Sequence, residues 1–190
     1  SELNIGHAYV SPPPPGPDTW KLGKPDAEFA LDTAYVTPPD GKDHYRCFVF
    51  PNATDADRWI EGIEFLPGNK VAAHHVPAFV DTSGAARTLN PADPGPGYTN
   101  PPPGNGPGFA KYQVIGGWTP GHLPRRVPTG AGLPLPKGAD IVIEVHYHLT
   151  GKAESDRTRC ALHFARGPVD KRYRVGDVGS IRFTLPAGKK

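Results

Sequence analysis

The chain has 190 residues, of which 21 are basic and 19 acidic, so its formal net charge is +2. This length is enough to bury the core of one domain, and an even charge balance without basic clusters argues against a nucleic-acid-binding protein. No apolar run reaches the roughly 18 residues that a membrane span needs. Residues 1–4 lack the charged and apolar regions of a signal peptide, as expected of a processed secreted chain or a trimmed one.

Proline and glycine dominate the composition, with 25 and 23 residues. Each proline removes a backbone donor and fixes φ, so we expect short strands joined by turns and no long helix. Methionine is absent, which excludes a thioether ligand from any metal site in this chain. The two cysteines, Cys47 and Cys160, are either buried thiols or one disulfide, and a disulfide requires an oxidising compartment.

Residues 1–19 read as a proline-rich leader or linker, because the run at 11–17 favours polyproline II. One domain is expected over residues 20–178, and residues 179–190 are expected to form a C-terminal strand and the start of a connection to a missing segment. The stretch at 91–108 is predicted to be a long surface loop, with a domain boundary as the alternative. The predicted strands are 45–50, 59–65, 70–80, 112–118, 140–149, 159–164 and 180–185, and turns are predicted at 120–121 and 134–138.

The strand predicted at 140–149 has the clearest pattern, because its side chains alternate between two faces. One face carries Ile141, Ile143, Val145 and Tyr147. The other face carries Val142, Glu144, His146 and His148. No internal repeat is visible, and the pattern as a whole predicts an all-β fold, an antiparallel β-sandwich or jelly roll with long Pro/Gly-rich loops.

Four of the eight histidines form two tight groups, His74-His75 and His146-Tyr147-His148. Imidazole suits copper, zinc, iron and nickel. Residues i and i+2 of a strand point the same way, so His146 and His148 can face one metal ion. Adjacent residues point to opposite faces, so His74 and His75 can share an ion only where the strand is bulged or ends. The alternative for each group is ordinary hydrogen-bonded histidines.

The other histidines are isolated and are predicted to be surface or structural residues, with His163 expected to face solvent; they are His7, His44, His122 and His163. Other chemistries have less support. The sequence contains neither a P-loop nor a dinucleotide-binding fingerprint. It has no CxxC or CxxCH motif, and no spacing singles out a catalytic triad.

Several motifs, taken in order, resemble the first domain of the copper type II, ascorbate-dependent monooxygenases. This family includes peptidylglycine α-hydroxylating monooxygenase and dopamine β-monooxygenase. The resemblance covers roughly residues 43–165. Its motifs are a strand with Cys47, His74-His75-Val76, Gly117-Trp118-Thr119-Pro120-Gly121, Leu135-Pro136-Lys137-Gly138 and Glu144-Val145-His146-Tyr147-His148.

The resemblance implies one bound copper ion with His74, His75 and His146 as its ligands. It also implies a disulfide between Cys47 and Cys160, and hence an extracytoplasmic location, periplasmic or secreted. The first copper of the family stores and passes electrons. By resemblance, the chain is therefore a mononuclear copper-binding redox domain.

The departures from the family limit this function. The family activates O₂ at a second copper, in a second domain, with an HxH pair and a methionine. This chain has no methionine, so it resembles part of a monooxygenase, an oxidoreductase, and not the complete enzyme. Its expected partner is a missing second domain or a neighbouring redox module.

Three points remain open from the sequence. The segment from His146 to Gly151 is also similar to the HxH segment of the family's second domain. His148 lies on the same predicted strand face as His146, and it is a fourth ligand, a neighbour of the ligands or a solvated residue. A non-catalytic interaction module built on the sandwich is one alternative function. A zinc hydrolase-type site with Glu144 as base is another.

Overall fold

The structure, a computed structural model, describes residues 19–41, 43–100, 106–176 and 188. Residues 1–18 of the expected leader and the strand predicted at 180–185 lie outside the described residues. One short helix, α1, spans Ala85–Leu89, and a 3-10 turn follows at Asn90–Ala92. The described strands are β1 Ala27–Ala30, β2 Tyr35–Val36, β3 His44–Phe50, β4 Arg58–Leu66, β5 Ala73–Asp81, β6 Tyr98–Asn100, β7 Gln113–Trp118, β8 Ala131–Leu135, β9 Asp140–Tyr147, β10 Ser155–Asp156, β11 Arg159–Phe164 and β12 Lys171–Arg172.

These strands form a β-sandwich, as the sequence predicts. The first sheet has the order β1-β11-β4-β8-β12, and the second has the order β6-β3-β9-β5-β7. A small third sheet pairs β10 with β2. Neighbouring strands run antiparallel except for β12, which lies parallel to β8. The core lies between the two large sheets, since Ile60 and Leu162 of the first sheet join Phe48 and Ile143 of the second in one cluster.

Strand β9 lies at the centre of the second sheet, and each of its residues is buried. The predicted alternation is confirmed. Ile141, Ile143, Val145 and Tyr147 face the core between the sheets. Val142 belongs to a second apolar cluster, which lies on the outer face of this sheet and includes Ala86 of α1. Because both faces are covered, a shift of register by one residue would place the polar residues of β9 in the core.

The proline- and glycine-rich stretch at 91–108 is tied to the second sheet in two ways. Strand β6 lies within it and pairs with β3. The buried guanidinium of Arg46 donates hydrogen bonds to the carbonyl oxygens of Pro94, Pro96 and Gly97 and to the carboxylate of Asp93. A buried side chain of β3 therefore supplies hydrogen-bond donors to the backbone of this stretch. Composition alone predicts the loop but conceals the strand.

The sequence prediction also misses five other described strands, β1, β2, β8, β10 and β12. Residues 134–135, predicted to be a turn, end strand β8, and the short helix α1 was not predicted. Pro134 pairs with Trp59 of β4, while β12 pairs with β8 only at Ala131 and Gly132. A proline is tolerated in a strand where one edge has no ladder partner.

The disulfide implied by the resemblance is wrong, because Cys47 and Cys160 are unpaired. Cys47 lies on the outer face of the second sheet, whereas Cys160 lies in the first sheet and faces the core between the sheets. Phe48, the residue after Cys47, also faces that core, so the thiol of Cys47 is directed away from Cys160. Burial raises the pKa of both thiols.

We expect the folded protein to contain two free thiols. In denaturant and without reductant, a disulfide-exchange reagent such as DTNB should titrate both, and addition of reductant should leave the melting temperature unchanged. Thiols that react only after reduction would contradict the unpaired arrangement.

Two glycines with left-handed backbones provide a matched test of the packing between the 91–108 stretch and β3. At Gly84, with φ 73°, an added Cβ would have no atom of the described residues within 4 Å, whereas at Gly97, with φ 78°, a Cβ would meet the Cys47 carbonyl oxygen. We expect Gly84→Ala to lower the free energy of unfolding by about 1–2 kcal/mol. Gly97→Ala should lower it by about 3 kcal/mol or more, because the backbone must also move. Urea denaturation measures both, and equal losses would contradict the close packing.

Candidate metal centre

A β-bulge in β5 brings His74 and His75 to the same side of the strand. Ala73 pairs with Tyr147, but His75 pairs with His146, so two steps along β5 match one step along β9. His74 is the additional residue. A bulge redirects a side chain that regular alternation would turn to the opposite face. The distortion that an adjacent histidine pair requires is therefore present at this position.

The three imidazoles converge through their Nδ1 atoms. The Nδ1 of His74 lies 3.3 Å from that of His75 and 3.2 Å from that of His146. The Nδ1 atoms of His75 and His146 lie 3.1 Å apart. Three nitrogens bound tetrahedrally at about 2.0–2.1 Å lie about 3.3–3.4 Å from one another. The arrangement therefore fits one metal ion with three imidazole ligands.

The centre lies at the border between core and solvent. His146 is buried, His75 is half-buried and His74 is exposed. His146 is on the central strand β9, where the surrounding ladder restricts movement, and the two other histidines are on the bulge. One side of the cluster is thus fixed by the sheet and the other is open to solvent.

The environment keeps two of the three imidazoles neutral at neutral pH. Burial, together with the neighbouring His146 and His74, lowers the pKa of His75 to about 4. Burial also lowers the pKa of His146, an effect that the Asp43 carboxylate opposes. Since a metal ion binds the deprotonated ring nitrogen, these two residues offer their lone pairs without releasing a proton.

Tyr45 and Asp43 contact His146 and were not predicted from the sequence. The Tyr45 ring lies parallel to the His146 ring, with centroids 4.2 Å apart and planes inclined by 8°. Asp43 Oδ2 lies 3.4 Å from His146 Nε2. Neither residue belongs to a recognisable motif, and only the register that places Tyr45 opposite His146 reveals the contact.

His148 lies outside the converging group of three. Its side chain is 70% exposed, and its Nδ1 lies 3.8 Å from Asp43 Oδ1. Of the three roles that the sequence leaves open for His148, this position agrees best with a solvated neighbour of the ligands. The group found among the described residues consists of His74, His75 and His146.

Glu144 lies on the same face of β9 as His146 but is closed off from solvent. Its Oε2 accepts hydrogen bonds from Asn100 Nδ2 at 2.5 Å and from the thiol of Cys47, with a sulfur–oxygen distance of 3.7 Å. Its buried Oε1 has no hydrogen-bond partner among the described residues. Burial raises the pKa of Glu144 to about 7. The carboxyl group is therefore held within the sheet face and is not open to solvent.

The isolated histidines that the structure describes are not part of the converging group. His44 bonds through Nε2 to the Tyr35 hydroxyl at 2.6 Å, and His122 is exposed. The expectation that His163 faces solvent is wrong: it is buried, and its Nε2 lies 2.8 Å from Glu64 Oε1 in the first sheet. Glu64 also accepts the backbone N–H of Lys21, so a segment distant in sequence covers this face. His7 lies outside the described residues.

No family model and no curated protein matches this chain. Among the described residues, no helix has the length and apolar character needed to cross a membrane.

The raised pKa of Glu144 predicts a pH-dependent stability. Its ordinary value is 4.5 and its folded value about 7, so between these values the unfolded chain releases a proton that the folded chain keeps. This contribution to stability is fully present below pH 4.5 and is lost as the pH rises through about 7. Glu144→Gln removes the titration, so its unfolding free energy should fall less than that of the wild type between roughly pH 5 and 8.

Urea denaturation of the metal-free protein in chelator at several pH values measures this difference. Asp32→Asn, at an exposed position, is the control and should follow the wild type. Parallel profiles for wild type and Glu144→Gln would contradict the raised pKa.

Proposed function

We propose that this chain is a mononuclear copper-binding redox domain that stores and transfers electrons, with His74, His75 and His146 as the copper ligands. The observation that carries the proposal is the convergence of three Nδ1 atoms to within 3.1–3.3 Å at the bulge of β5. Imidazole ligands suit copper, and bound copper would supply one-electron chemistry. The resemblance to the first domain of the ascorbate-dependent copper monooxygenases supports the choice of copper.

The contacts of the cluster support a role in ligand binding over a structural one. Buried histidines that serve the fold normally bond to carboxylates, carbonyls or hydroxyls, as His163 bonds to Glu64 and His44 to Tyr35. The Nδ1 atoms of the triad instead face one another. Neutral imidazoles that direct their lone pairs to one point gain most when a cation lies there. This arrangement argues against an interaction module without metal.

The chain's residues would contribute to electron transfer in two ways. The β5–β9 ladder holds His75 and His146 in place, which limits rearrangement between oxidation states. The exposed position of His74 leaves the centre accessible to an electron partner.

A zinc hydrolase-type site has less support. Imidazoles also bind zinc, and such a site needs a general base within reach of its bound water. Glu144, the residue suggested by the sequence, is buried and already bonded to Asn100 and Cys47. Its position in the sheet face favours the redox function over hydrolysis.

The proposal includes a partner and a location. A second domain or a neighbouring redox module would exchange electrons with the centre, because the chain contains no methionine for the family's O₂-activating site. We do not expect a nucleic-acid partner. An extracytoplasmic location rests on the resemblance alone, since the free thiols remove the support that a disulfide would have given.

Copper titration of the metal-free protein tests the function. The wild type should bind about one copper ion per chain, and the Cu(II) form should show nitrogen hyperfine coupling in electron paramagnetic resonance. Each single change to alanine at His74, His75 or His146 should weaken binding at least about 10–100-fold. His122→Ala, at an exposed histidine outside the cluster, is the control and should bind as the wild type does.

Two results would contradict the proposal. The first is equal copper binding by the wild type and by the triple variant His74→Ala, His75→Ala, His146→Ala. The second is zinc in protein purified without added metal, together with hydrolytic activity that the triple variant loses.

A further inference from the structure

We propose that Asp43 is a positioning residue for His146, which it holds in the tautomer that directs a free Nδ1 lone pair at the metal, while Tyr45 fixes the plane of the ring. This inference rests on the proposed function, because it assigns the determinants of the same centre. It concerns two residues that no motif marks, and it can be tested in the metal-free protein.

The position of Asp43 determines which nitrogen carries the proton. A neutral imidazole has one N–H, at Nδ1 or at Nε2. The Nε2 of His146 is buried and lacks a well-aligned hydrogen-bond partner among the described residues, and Asp43 Oδ2 lies 3.4 Å away. A carboxylate beside Nε2 stabilises the proton there and leaves Nδ1 free. When Nδ1 binds a cation, Nε2–H becomes a stronger donor, which tightens this contact.

Tyr45 restricts rotation of the same ring. Tyr45 of β3 pairs directly with His146 of β9, and the two rings lie parallel with centroids 4.2 Å apart. Tyr45 is itself buried, so its ring cannot move aside freely. The stacked ring covers one face of His146 and opposes rotation about the bond that joins the imidazole to Cβ.

The arrangement distinguishes His146 from the two other ligands. Within the described part of the chain, no carboxylate lies within 4 Å of a ring nitrogen of His74 or His75, whereas Asp43 meets this criterion for His146. Among the three proposed metal ligands, His146 is thus the one held in place on the regular strand. The carboxylate also makes its imidazole more basic, which favours Cu(II) over Cu(I) and lowers the reduction potential.

The first experiment determines the tautomer of His146 in metal-free protein by ¹⁵N NMR at neutral pH. We expect protonated Nε2 and bare Nδ1 in the wild type, and a mixture of tautomers in Asp43→Leu. Asp55→Leu is the control, since Asp55 is 94% exposed and its ion pair is with Arg58. A proton on Nδ1 in the wild type, or the same tautomer in Asp43→Leu, would overturn the inference.

The second experiment measures copper binding and the reduction potential of the loaded protein. Asp43→Leu should bind Cu(II) about 10–100-fold more weakly, lose less Cu(I) affinity and have a higher potential. Tyr45→Phe keeps the stacked ring and should retain the wild-type spectrum, whereas Tyr45→Leu should broaden the Cu(II) signal. Circular dichroism verifies that each variant is folded.

The outcomes separate this inference from the proposed function. If the wild type and the triple histidine variant bind copper equally, the proposed function fails. If the wild type binds copper at the three histidines but Asp43→Leu keeps the same tautomer, affinity and potential, only the role of Asp43 fails.

Discussion

The pairing of β5 with β9 is the constraint on which the metal centre depends. Every residue of β9 is buried, with an apolar core on one face and a second cluster on the other. This double burial fixes the register of β9, because a slip by one residue would exchange the two faces. The additional residue of β5 therefore cannot be absorbed by sliding. It remains as the bulge at His74, so the geometry of the centre follows from the packing of the core.

The outer face of β9 changes its environment along a single row of side chains. Val142 packs in an apolar cluster beneath α1, Glu144 lies in a closed polar site with Asn100, and His146 reaches the border with solvent. Burial raises the pKa of the carboxyl group at Glu144 and lowers the pKa of the imidazole at His146. The same desolvation therefore favours the neutral form of both groups, and the centre gains a neutral donor at neutral pH.

The sequence predicts the faces of β9 and the three converging histidines well, since strict alternation and residue type carry that information. It predicts that His74 and His75 need a distortion, but only the pairing with Tyr147 and His146 locates it. Errors arise where distant segments decide the outcome. His163 is buried because Glu64 and a segment near Lys21 cover its face. Strand β6 lies among prolines and glycines, which disfavour a strand prediction, and Arg46 donates hydrogen bonds to the backbone just before it.

The implied disulfide and the implied copper ligands depend on different parts of the fold. The implied disulfide would join the two large sheets, but Cys47 points away from the sheet that contains Cys160. The three histidines all lie in the second sheet and are brought together by the β5–β9 ladder alone. Loss of the disulfide therefore removes the argument for an oxidising compartment without weakening the geometry of the centre, because no covalent link between the sheets is needed to form it.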